Sequence, residues 1–156
     1  DRAENVMIVD LVRNDLARVC RWPSVRVDRF PELETYANVH HLVATVAGEL
    51  RPGLDLGALL TALFPAGSIT GCPKLAAMTC IRELEAHPRL AYTGALGWLS
   101  QELDQAELAV AIRTASAVAG ELRFGVGGGV VWDSDPAAEY LETVHKGRSL
   151  VACLSS

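Results

Sequence analysis

Between Thr93 and Trp132 the chain reads as three successive strand segments, Thr93–Ser100, Ala106–Ala117 and Leu122–Trp132, with only a few residues between neighbours. Parallel neighbours need a crossover of a dozen or more residues, usually a helix, whereas antiparallel neighbours need only a tight turn. The spacing therefore predicts antiparallel pairs. Helical periodicity elsewhere makes the whole an α+β arrangement, antiparallel sheets flanked by helices. Val6, Val9, Val12, Leu16 and Val19 recur at three- and four-residue intervals, one face of a helix over about residues 4–19. Val25, Val27 and Arg29 alternate as a short strand, and 38–50 reads as a second. Asp55 is placed to cap a helix running to about Phe64. Residues 65–74, PAGSITGCPK, read as a loop whose Pro73 suits the first turn of the next helix, which stops before Pro88. Pro136 opens a last helix to about Cys153.

Composition narrows the class. At 156 residues with 50% apolar and 21% charged residues, the chain has the make-up of one globular domain, neither collagen-like nor disordered. The longest apolar run, Phe124 to Trp132 counting Gly, is too short to span a bilayer. No charged stretch followed by an apolar one opens the chain, so no signal peptide is expected. Nineteen acidic against fourteen basic residues, without a Lys/Arg cluster, give no nucleic-acid surface. Cys20, Cys72, Cys80 and Cys153 form no C-x-x-C pair and suit a reducing, cytoplasmic setting. Only two lysines occur among fourteen basic residues, Lys74 and Lys146.

The chemistry concentrates in a few places. Glu139, Glu142 and Lys146 share one face of the last helix, with Asp133 and Asp135 just before its positive end. That pattern is either a solvated face with an i,i+4 ion pair or a carboxylate set for a hard cation. Asp1 and Glu4 repeat the i,i+3 acidic spacing on the first helix. Gly127, Gly128 and Gly129 weaken a strand unless a backbone must approach something closely, so they mark a bulge or an anion met by backbone N–H groups. Ser68 and Thr70 in GSITGCPK sit by a helix N-terminus, which also favours an anion. Arg113 is the one charge in the apolar stretch AVAIRTA (109–115), and a buried Arg requires a carboxylate from the fold or from a ligand. His40 and His41 are adjacent in a strand and point to opposite faces, one of them toward the interior. No Ser-His-Asp or Cys-His order is present.

These segments follow one another in a recognisable order: MIVDLVRND (7–15), VHHLVATVAGEL (39–50), GSITGCPK (67–74), YTGALGW (92–98), AIRTA (111–115) and VGGGVVWDSDPAAEYLETVHK (126–146). In this order the chain resembles the chorismate-utilising enzymes, which include anthranilate synthase component I, aminodeoxychorismate synthase component I, isochorismate synthase and salicylate synthase. Within them GSITG-PK, and GVGGG followed by DSDP-AEY-ET, resemble aminodeoxychorismate synthase component I. Anthranilate synthases more often carry an Ala in the Gly-rich segment and a Val for the second Asp of DSDP.

The resemblance implies a set of roles. Glu4 and Glu142 match Mg²⁺ carboxylates, and Asp1 and Glu139 match their acidic neighbours. Tyr92, Arg113, Gly127, Gly128 and Gly129 match groups that bind the substrate's enolpyruvyl carboxylate. His41, Ser68 and Thr70 match pocket positions, His41 a catalytic one, and Lys146 matches a catalytic-motif Lys beside the metal-bound carboxylate. The implied reaction turns chorismate and ammonia into 4-amino-4-deoxychorismate for p-aminobenzoate and folate synthesis. A glutamine amidotransferase subunit or domain is the implied ammonia source. The alternatives are anthranilate synthase component I and a non-catalytic module that binds ligand only. The implied fold is the chorismate-binding α+β fold, of which residues 1–156 are expected to be the C-terminal part. The family's PI-x-GT segment, with its ring-attacking Lys, and the general-acid Glu are absent from these residues, and Lys74 lies in the wrong motif to substitute. By themselves the 156 residues are therefore expected to be inactive.

Overall fold

The computed structural model describes residues 2–37 and 40–154. The chain divides into two compact units, Asp1–Glu85 and Ala86–Ser156. Its helices and small antiparallel sheets make it α+β, as the strand spacing predicts.

The first unit opens with helix α1 (Arg2–Ala17) and continues through strands β1 (Arg26–Thr35) and β2 (His40–Ala47). Helices α2 (Leu56–Leu63), α3 (Gly67–Thr70) and α4 (Lys74–Leu84) follow. The apolar stripe of α1 is buried at Val9 and, just past the helix, at Val19, while Val6 stays 44% exposed. Val19, Cys20 and Ala62 form the core cluster, with Leu16, Val25, Leu54 and Leu59 packed on it. The chain after α1 is fixed there by Arg21 N donating to Glu49 O at 2.8 Å and Arg51 N to Val19 O at 3.0 Å. Strand β1 runs further than the Val25–Arg29 alternation predicts, pairing antiparallel with β2 out to Thr35 and His40. Pro31 is tolerated because it falls in a register irregularity between Arg29 and Glu32, where the ladder does not call for its missing N–H. The Asp55 cap forms as expected, with Ala58 N donating to Asp55 Oδ1 at 2.7 Å.

Residues 65–74 differ from the expected loop. Gly67–Thr70 make one turn of helix, and Pro73 sits just outside α4, which starts at Lys74. Gly71 follows with φ 102°, a conformation that favours glycine.

The second unit holds two hairpins and a helix: β3 (Ala95–Ser100) with β4 (Gln105–Val110), β5 (Ala115–Val118) with β6 (Glu121–Phe124), then α5 (Pro136–Leu154). Gly97 stands opposite Leu108, and a Cβ there would lie 1.8 Å from Glu107 O. The β5–β6 turn is Ala119-Gly120 with φ 51° and 81°, the positive pair a two-residue hairpin turn uses. The predicted strand Ala106–Ala117 is two strands. Ala111 leaves β4 to bond back, donating to Gly94 O at 2.9 Å and accepting from Thr93 N at 2.8 Å, and Arg113 then turns the chain at φ 52°. The predicted strand Leu122–Trp132 ends at Phe124, so the three glycines lie outside any strand. Among the described residues no single helix is long and apolar enough to cross a membrane.

Candidate active site

In the second unit the glycine segment lies between Tyr92 and α5. A Cβ on Gly125 would come within 2.3 Å of Tyr92 Cδ1, and one on Gly127 within 3.2 Å of the Tyr92 hydroxyl. On the helix side, a Cβ on Gly128 would meet Glu139 Oε2 at 3.1 Å. Gly125, Gly127 and Gly128 are thus explained by close approach of backbone to a tyrosine and to a carboxylate. Sequence patterning singles out 127–129. The tightest approach in this segment is at Gly125.

The start of α5 is organised to hold Glu139. Asp135 caps the helix, accepting from Ala138 N at 2.8 Å. Ser134 Oγ accepts from Val131 N at 3.0 Å and donates to Glu139 Oε1 at 2.6 Å. One carboxylate oxygen of Glu139 is therefore oriented by a hydroxyl. Four residues on from Glu142, Lys146 pairs with it, Nζ to Oε1 at 2.6 Å, and reaches Gly127 O at 3.4 Å. The i,i+4 ion pair is thus present, and the lysine also ties α5 to the glycine segment. Ser134 is the residue of this arrangement that the sequence did not single out. Its place directly before an Asp-Pro helix start was the available signal.

Arg113 departs from expectation. It is exposed, lies outside the strands, and has no hydrogen bond or ion pair among the described residues. Its positive φ removes it from the apolar strand in which it would have needed a buried partner.

In the first unit, Glu4 is an exposed residue of the first turn of α1. Asp1 lies outside the described residues. His40 and His41 are both exposed, so neither faces the interior as expected, because the β1–β2 hairpin leaves this end open on both faces. His41 stands opposite Glu34 in the strand register and meets the Tyr36 ring edge-on, centroids 5.9 Å apart. The Tyr36 hydroxyl donates to Glu34 Oε2 at 2.7 Å, and Arg29 Nη1 donates to Glu34 Oε1 at 2.6 Å. The Tyr36 hydrogen bond, then Arg29, holds the Glu34 carboxyl below its usual range, and the same bond raises the Tyr36 phenol. Ser68 is exposed on α3, and Thr70 Oγ1 donates to Ala66 O at 3.3 Å.

The first unit also holds a pair that sequence reasoning did not assemble. Lys74 Nζ lies 2.9 Å from Asp15 Oδ2, with the two side chains only 16% and 10% exposed. The scarcity of lysine in the sequence marked Lys74. Nothing in the pattern of α1 marked Asp15, which follows the polar pair Arg13-Asn14.

Within neither unit do the described residues gather three or more His, Cys, Asp or Glu side chains around a metal position. Within the second unit, Glu139 and Glu142 of α5 are oxygen donors, the donor chemistry Mg²⁺ takes, with one or two protein carboxylates and the rest from water and substrate.

Comparison with known proteins decides the family. The profile of the chorismate binding enzymes matches residues 1–152. The chain belongs to this family. It is 47% identical over 156 residues to an aminodeoxychorismate synthase of Streptomyces griseus, covering 100% of this chain and 21% of that protein. It is 44% identical over 154 residues to anthranilate synthase component 1 of Streptomyces coelicolor, covering 99% of this chain and 30% of the other. Among solved structures, anthranilate synthase component I from Streptococcus pneumoniae matches with a TM-score of 0.85 at 41% identity, over 94% of this chain and 34% of that one. The chain thus spans between about a fifth and a third of the length of these relatives.

Proposed function

We propose that the protein carrying this chain is an aminodeoxychorismate synthase component I. It would replace the 4-hydroxyl of chorismate with ammonia, releasing water and forming 4-amino-4-deoxychorismate for p-aminobenzoate and folate synthesis. The observation that carries this reading is the pairing of GSITG-PK with GVGGG and DSDP in one chain. Aminodeoxychorismate synthases of Bacillus subtilis and Klebsiella aerogenes, each 47% identical to it, support the reading. Ammonia would come from a glutamine amidotransferase subunit or domain. The scattered cysteines suit a cytoplasmic enzyme.

Each residue has a task in this scheme. Tyr92 and Arg113, with the N–H groups of Gly127, Gly128 and Gly129, bind the enolpyruvyl carboxylate. Ser68, Thr70 and His41 line the substrate pocket, His41 as a catalytic group. Lys146 fixes the orientation of Glu142 and of the glycine segment. Glu4 and Glu142, with Glu139 and Asp1 as acidic neighbours in the family's motif, would hold Mg²⁺, which would supply Lewis-acid polarisation of the substrate's ring carboxylate. Ring attack is assigned to a lysine of a PI-x-GT segment that these residues do not contain, so the 156 residues alone leave chorismate unchanged.

Anthranilate synthase component I is the second reading, favoured by 44% identity over nearly the whole chain to such an enzyme. The full-length protein, supplied with chorismate, Mg²⁺ and ammonium, separates the two. Mass spectrometry should find 4-amino-4-deoxychorismate. Anthranilate with pyruvate would establish the second reading, and unchanged chorismate would overturn both.

A further inference from the structure

We propose that Asp15 and Lys74 are positioning residues that set the Ser68 and Thr70 hydroxyls of the substrate pocket, an inference that rests on the proposed function. A helix of one turn, Gly67–Thr70, has little stability of its own. Its internal bonds are few: Ile69 N to Ala66 O at 2.9 Å, Thr70 N to Ala66 O at 3.1 Å and Gly71 N to Gly67 O at 2.9 Å. What holds the turn in place must come from outside it.

Asp15 supplies that hold at both ends. At the start of the turn, the buried Gly67 N–H donates to Asp15 Oδ2 at 3.4 Å. At the far end, the Lys74 ammonium donates to the same oxygen at 2.9 Å and to Ala62 O, in the last turn of α2, at 3.2 Å. One carboxylate oxygen on α1 thus clamps the segment 67–74 where it begins and where it ends. The seat is close-fitting: a Cβ on Gly67 would lie 3.3 Å from both Asp15 Oδ2 and Leu11 Cβ. Between the two clamped points, Ser68 faces outward without an intramolecular hydrogen bond among the described residues. Lys74 is therefore occupied in an ion pair, with its ammonium neutralised by Asp15 and committed to the Ala62 carbonyl. It acts on substrate only through the hydroxyls it places. A displacement of about 1 Å at groups that orient a substrate is enough to cost up to ~100-fold.

Steady-state kinetics on the full-length protein test this, with Asp15→Asn, Lys74→Met, the double variant and Lys74→Arg. Asp15→Asn is nearly isosteric and keeps the test open if Lys74→Met fails to fold. Each single variant should raise KM for chorismate about tenfold or more while kcat per folded enzyme changes less than about threefold, the signature of lost ground-state positioning. The double variant should be no worse than the worse single, since the two act as one unit. Lys74→Arg should recover most of the loss. A merely structural pair would lower the folded fraction and leave KM where it was, and that result overturns the proposal. Hydrogen exchange of the Gly67–Gly71 amides is read in parallel, and should accelerate about tenfold in Asp15→Asn while the β1–β2 amides stay unchanged. If the wild-type protein does not convert chorismate, the functional reading falls by itself. Exchange then decides the clamp, and unchanged rates at 67–71 overturn it.

Discussion

The two units reach order by different means. In residues 1–85 side chains do it: a core of Val19, Cys20 and Ala62, a part-buried ion pair and a capped helix hold the elements. In residues 86–156 the buried side chains among the described residues are few, Thr93 and Ala111, and backbone proximity takes their place. Gly97 lets β3 lie on β4, and Gly125 to Gly128 let the chain pass between a tyrosine ring and a helix. The lesson is that the first unit should be sensitive to lost partners and the second to added atoms.

The sharpest way to break that contrast is Lys74→Met. Removing one member of this part-buried pair strands the other charge, at a cost of about 3 kcal/mol, the low end for a buried pair, so thermal melting of the full-length protein should fall steeply. A shift no larger than that of a surface substitution would place the first unit in the same class as the second. In the second unit, Gly125→Ala should cost about 1–3 kcal/mol by overpacking against Tyr92, with chorismate affinity falling alongside. Tyr92→Ala in the same background should restore part of the stability, because it opens the space the methyl needs. Asp55→Ala removes the cap of α2 and should cost about 1 kcal/mol, read from denaturant midpoints.

Smaller effects sharpen the comparison. Burial raises the Cys20 thiol, with Arg51 opposing weakly, while Cys72 and Cys80 are exposed. An aromatic disulfide reagent near neutral pH should therefore label Cys72 and Cys80 well before Cys20. Labelling of Cys20 at the same rate would show the core of the first unit to be open. The smallest effect belongs to Glu34. Its folded pKa is lowered by Tyr36 and then Arg29, so its contribution is present above the unfolded carboxyl pKa and is lost as pH falls through the folded value. Glu34→Gln should flatten the acid limb of the stability profile slightly, as followed by melting between neutral and acid pH.

Much of this organisation is legible in the residues themselves. The helices starting at Asp55 and Pro136 announce themselves through caps and periodicity, and the antiparallel pairing follows from the short gaps. What escapes is long-range. Arg113 looks buried because its neighbours are apolar, yet a positive φ turns it out of the strand, and no local pattern encodes that turn. The reach of β1 to Thr35 depends on its partner strand more than on its own polar sequence. Asp15 and Lys74 are 59 positions apart, so their pairing emerges only when α1 and the 67–74 segment pack. The run Gly127–Gly129 stands out in the sequence, but the tightest approach, that of Gly125 to the Tyr92 ring, is between residues 33 positions apart and emerges only in space.

The most direct measurement is the Mg²⁺ dependence of chorismate turnover by the full-length protein, compared with its Glu4→Gln and Glu142→Gln variants. The account predicts a rate that requires the metal and falls by about a hundredfold or more in each variant, as expected when a group stabilising transition-state charge is removed. Wild-type rates and unaltered metal dependence in both variants would contradict it.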